Sequence, residues 1–105
     1  MASISSAVST SSIALSGMRA AQTALNSTAH NVANQSTEKF RRQEVNNKEA
    51  ANGGVTATIT QASTEGAAPE TDLVAQLQAK NAFLANLAVF KTSNKMAGAL
   101  LDRTA

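Results

Sequence analysis

The chain has 105 residues, a formal charge of +2 and no cysteine. That length allows one domain, and the missing thiols exclude a disulfide framework and any thiolate metal site. The hydrophobic fraction is 43%, but aromatics are only 3% (Phe40, Phe83 and Phe90) and alanine supplies much of the rest, so a large aromatic core is excluded too.

In chain order, the first element is a helix over residues 1–34. Ile4, Ser11, Met18, Leu25 and Val32 recur every seven residues, and Val8, Leu15, Gln22 and Ala29 follow four residues after each of the first four. Alternating steps of four and three are the spacing of a helix seam facing a partner helix. The seam is weak at its start, where six serines fall within residues 3–12 and compete with the helical backbone for hydrogen bonds. Gly17 lies among Ala14, Ala20 and Ala21, which would let a neighbouring helix come close. Asn34, which tolerates the left-handed conformation, ends the helix before the polar run Gln35-Ser36-Thr37.

Residues 35–69 read as a loosely structured linker. Gly53-Gly54 is a break, and Val55-Thr56-Ala57-Thr58-Ile59-Thr60 alternates apolar residues with threonine in the manner of one short β segment without an evident partner. A second helix occupies 70–105. Pro69 suits its first position, Glu70 and Asp72 put acid near its start, and Lys91, Lys95 and Arg103 put base toward its end. Leu73, Leu77, Phe83, Leu84, Leu87, Phe90, Ala97 and Leu101 share one broad face, while Val74, Val89, Met96 and Leu100 fall on another. Two apolar sides on one helix imply burial against more than one neighbour. The expected fold is therefore mainly α, with two long antiparallel helices forming a coiled-coil-like hairpin. Val8, Leu15, Met18, Leu25 and Val32 would face Leu73, Leu77, Leu84, Leu87 and Phe90 across it. With so few large side chains, the isolated pair should be marginal and should gain stability from partners.

The residues that would carry chemistry are sparse. His30 is the single histidine and has no acid at ligand spacing, so it reads as a surface or packing residue with no metal role. No Gly-x-Ser-x-Gly elbow, phosphate-binding glycine loop or acid–base cluster is present, and neither catalysis nor a cofactor is expected. Lys39-Phe40-Arg41-Arg42 could bind phosphates and stack a base. Glu38 and Glu44 dilute that charge, and a solvated segment or a subunit contact is the preferred reading. No stretch approaches the roughly 18 apolar residues of a membrane span. The first basic residue is Arg19 and serine interrupts each apolar run before it, so no cleaved leader is expected.

Two blocks carry a family resemblance. Ser16-Gly17-Met18-Arg19-Ala20-Ala21-Gln22-Thr23-Ala24-Leu25, continuing to Asn31-Val32-Ala33-Asn34-Gln35-Ser36-Thr37, resembles the N-terminal motif of the bacterial flagellar axial proteins, the rod and hook components of the basal body. Asp72-Leu73-Val74-Ala75-Gln76-Leu77 and Phe83-Leu84-Ala85-Asn86, then Lys91-Thr92-Ser93 and Met96, are similar to the C-terminal helix of that family. Asn31, Asn34 and Thr37 match family positions. Where the family usually carries Pro-Gly-aromatic after that threonine, this chain has Glu38-Lys39-Phe40. The resemblance covers roughly residues 1–45 and 70–102. It implies a structural subunit of the periplasm-spanning rod, whose paired terminal helices stack with copies of itself or related axial proteins. It also implies passage through the flagellar export apparatus without a cleaved signal. The short middle segment favours a proximal rod component. A stand-alone helical adaptor is the alternative reading, and a small basic nucleic-acid binder a weaker one.

Overall fold

A computed structural model describes residues 3–51 and 53–104, with side chains described over 9–51 and 53–102. Helix α1 spans Ser3–Ala33, strands β1 (Gln43–Glu49) and β2 (Val55–Gln61) follow, and helix α2 spans Pro69–Thr104. The molecule measures 62 × 23 × 15 Å and has a radius of gyration of 17.7 Å, against about 13 Å for a compact chain of this length. It is a rod-shaped helix pair with a hairpin along one side.

The helices are antiparallel. Ser11 Oγ donates to Asn94 Oδ1 at 3.2 Å near one end, and Asn31 Nδ2 donates to Asp72 Oδ1 at 3.1 Å near the other. Between these, Gly17 lies directly against Asn86: a methyl group at Gly17 would come within 2.7 Å of the Asn86 amide. The mainly helical pairing expected from the sequence is present.

The composition of the seam differs from the expectation. The buried apolar residues are Ala14, Ala20, Ala21 and Ala79, joined by the buried polar residues Ser27, Thr28, Asn31, Asp72 and Ser93. Leu15, Met18, Leu25, Leu87 and Phe90 are half-buried along the flanks. Val32, Leu73, Leu77 and Leu84 face outward at 45–57% exposure. Val8 lies in α1, with its side chain outside the described residues.

The rhythm has the expected spacing but is displaced by one residue. Ala14, Ala21 and Thr28 with Gly17, Ala24 and Asn31, and with the buried Ala20 and Ser27 beside them, form the inward set on α1; on α2, Asp72, Ala79, Asn86 and Ser93 lie seven apart. One residue turns a helix by about 100°, enough to move the large side chains off the seam. Small residues win the inner position because they let the backbones approach and multiply dispersion contacts along the whole length. Gly17→Ala tests this. Better helix propensity should contribute about 1 kcal/mol, and overlap with Asn86 should cost about 1–3 kcal/mol. Thermal melts should show net destabilisation in the wild-type background and stabilisation of up to about 1 kcal/mol when Asn86→Ala is also present.

Helix α2 begins at Pro69 with Glu70 and Asp72 in its first turn, and the Asp72 N–H donates to the Ala68 carbonyl at 3.0 Å. Helix α1 ends differently from the expectation. Asn34 caps it without turning left-handed: its Nδ2 donates to the His30 carbonyl at 2.9 Å, and Thr37 Oγ1 donates to Asn34 Oδ1 at 3.2 Å. The left-handed residue is Lys39, with φ 59°, inside a turn closed by the Phe40 N–H on the Thr37 carbonyl at 3.3 Å. It is the third residue of that turn, where turns with a positive φ favour glycine. Lys39→Gly should therefore raise stability by about 0.5–1 kcal/mol, read as a higher urea midpoint.

The linker is more ordered than the sequence implied. The alternating segment is β2, and its partner is β1, antiparallel in the register Gln43↔Gln61 to Glu49↔Val55. Across the hairpin end, the Ala50 N–H donates to the Gly54 carbonyl at 2.7 Å, and Gly53 takes φ 90°. The hairpin lies along α1 and touches that helix, not α2. Asn31 holds its base through Gln43, and Ser16 holds its far end by accepting the Val55 N–H at 3.0 Å. The lengths match: a seven-residue strand spans about 23 Å, and the helix from residue 16 to 31 about 22 Å.

Candidate assembly interface

Two features of this frame bear on function: a buried polar junction and an apolar exterior. The junction joins α1, β1 and α2. Asn31 Oδ1 accepts the Gln43 N–H at 2.8 Å, while Asn31 Nδ2 donates to the Gln43 carbonyl at 3.0 Å and to Asp72 Oδ1 at 3.1 Å. Arg42 closes the set with a guanidinium that donates to both Asp72 oxygens: its Nε lies 3.3 Å from Oδ2, and a terminal nitrogen is paired with Oδ1. The Asp72 and Arg42 side chains are 2% and 18% exposed. Its hydrogen bonds to the Asp72 carboxylate raise the Arg42 guanidinium above its ordinary range, and its own partial burial opposes this. The junction fixes where α2 starts relative to the end of α1. The sequence offers Asn31 and Asp72 through the two family-like blocks, Asp72 also as a first-turn acid, and Arg42 only as part of a charged run; nothing in it pairs the three.

On the exterior, Leu73, Leu77 and Leu84 fall on one stripe of α2, within about 40° of each other around the axis. They are 57%, 55% and 51% exposed, with Lys80 and Lys91 on the same stripe. Val74, Val89 and Met96 are exposed on a second side, and Val32 and Ile13 on α1. The surface totals 7171 Å², against about 5,500 Å² for a globular monomer of this mass. Large apolar side chains outside and small ones inside is the reverse of an ordinary monomer's arrangement. Of the residues expected to pack, Leu15, Met18, Leu25, Leu87 and Phe90 are thus brought to the edges of the helix pair, and Val32, Leu73, Leu77 and Leu84 to its outer faces.

The cluster at residues 39–42 is partly occupied. Arg42 is bound to Asp72, and Phe40 packs against His30 with ring centroids 5.8 Å apart. Lys39 and Arg41 remain exposed, two cations without a free aromatic between them. Among the described residues no group of three or more His, Asp or Glu is placed to hold a metal ion, and no helix is long and apolar enough to cross a membrane. Asn34 and Thr37 pair with each other at the end of α1. No protein-family model matches the chain, and no curated protein matches it in sequence.

Proposed function

We propose that this chain is a structural subunit of the bacterial flagellar basal-body rod, assembled by helix packing against copies of itself or related axial proteins. The observation that carries this reading is the apolar exterior of α2, with Leu73, Leu77 and Leu84 more than half exposed on a helix pair already closed by alanine. Such a surface is completed by neighbours. The two terminal sequence blocks name the setting, and the turn at Thr37–Phe40 adds to it: Lys39 adopts a positive φ where that family carries glycine. The subunit reaches the rod through the flagellar export apparatus. The test is composition: basal bodies purified from the source bacterium should yield peptides of this chain, and a gene deletion should abolish swimming. Complete basal bodies and normal swimming after deletion would overturn the reading.

A further inference from the structure

We infer that the groove between β1 and α2 is a docking slot for an extended, uncharged segment of a partner polypeptide, which pairs with the outer edge of β1 at Val45 and Asn47. In an antiparallel pair, backbone groups point alternately toward and away from the neighbouring strand. The Arg42 carbonyl accepts the Ala62 N–H at 2.8 Å, and the Ala50 N–H reaches the Gly54 carbonyl at 2.7 Å. Even-numbered residues of this strand therefore address β2, and Gln43, Val45 and Asn47 address the other edge. At Gln43 that edge is already filled. The Asn31 carboxamide accepts its N–H at 2.8 Å and donates to its carbonyl at 3.0 Å, the two bonds a paired strand would make. The next two positions in line, Val45 and Asn47, have no such partner among the described residues, and both line the groove.

The groove has a volume of about 670 Å³, with Ala24 and Ser27 of α1 and Ala75, Ala79 and Ala82 of α2 along its walls. Alanine walls admit a backbone closely and leave room for small side chains; four extended residues would span about 13 Å. A second, independent observation is Ser27. It is 2% exposed, lines this groove, and its Oγ has no hydrogen-bond partner. Buried hydroxyls are nearly always paired, and a guest backbone would supply the missing partner once a small shift of the groove wall uncovers this hydroxyl. Of the charged residues lining the groove, Arg42 and Asp72 neutralise each other and Glu44 is exposed to solvent; the guest is uncharged because a further charge at the buried junction end would be desolvated without a counter-ion. Recognition through main-chain bonds on a sheet edge is an established mode of peptide binding. The slot does not depend on the axial-subunit reading.

The test is a titration of the full ¹⁵N-labelled chain with a blocked hexapeptide of alternating threonine and alanine. The expected result is saturable shifts of the Val45 and Asn47 amides at about millimolar peptide. Their hydrogen exchange should slow by at least about tenfold. The same peptide N-methylated at alternate residues should be silent. Val45→Pro removes one outward donor, leaves the β1–β2 bonds in place, and should abolish the response with an unchanged circular dichroism spectrum. Ser27→Ala should weaken binding several-fold while raising the melting temperature, opposite signs that a purely structural serine would not give. Saturation without change at Val45 and Asn47, or shifts confined to β2, would overturn the proposal. Protection of the same amides by self-association without peptide would put a second copy in the slot and overturn the proposal equally.

Discussion

Arg42→Met should lower the free energy of unfolding by about 3–5 kcal/mol, because it strands the Asp72 carboxylate, 2% exposed, with one neutral donor. For a domain whose total stability is about 5–15 kcal/mol, this is much of the whole. Urea unfolding followed by far-UV circular dichroism measures it. The double variant Arg42→Met/Asp72→Leu should recover most of the loss, since a matched apolar pair avoids the desolvation of both ions. Asn31→Ala should cost about 2–3 kcal/mol by leaving the Gln43 N–H and carbonyl unpaired. Because the guanidinium's folded value is raised, its contribution is complete below the ordinary arginine range and is lost only as the pH climbs through that raised value. Alkaline titration up to about pH 10 should therefore leave the Arg42 contribution in place. A loss under 1 kcal/mol for Arg42→Met would show that the junction does not hold the three elements together.

The same residues mark how far the sequence could be read. Both helices were legible because their stop and start signals are local: Asn34 and the polar run after it, Pro69 with Glu70 and Asp72 behind it. The seam was legible in period and not in phase. Large side chains at 18, 25 and 32 and small ones at 17, 24 and 31 obey the same seven-residue step, and hydrophobicity alone favours the larger set. A run of small residues at heptad spacing, with Gly17 inside it, was the signal for the other phase. β1 could not be read because Gln43-Glu44-Val45-Asn46-Asn47-Lys48-Glu49 has no apolar alternation. Its pairing comes from Asn31, in the preceding helix, and from β2, across the hairpin turn, and not from a pattern of its own. Arg42 and Asp72 are 30 residues apart, and nothing in either neighbourhood announces the other.

That phase also decides which substitutions separate assembly from folding. Leu25 and Leu87 are half-buried beside the seam, so a charge at either would loosen the helix pair and confound the two effects. Leu77 and Leu84 are 55% and 51% exposed, and glutamate is nearly as good a helix former as leucine. In Leu77→Glu/Leu84→Glu, the new carboxylates also lie three and four residues from Lys80 on the same face, a spacing that favours the pairs slightly. The double variant should melt within about 0.5 kcal/mol of the parent. In an interface it would lose the burial of two leucines, about 1.5–3 kcal/mol each, and add two charges that must be desolvated. A loss of that size is more than about a hundredfold in affinity per contact, and in the proposed rod the contact would repeat along its length. Introduced into a deletion strain, the variant should leave cells non-swimming, with the folded chain present and missing from purified basal bodies. Swimming restored to the wild-type level by this variant would remove the outer stripe of α2 from the assembly surface, because its fold is intact and no other defect could be blamed.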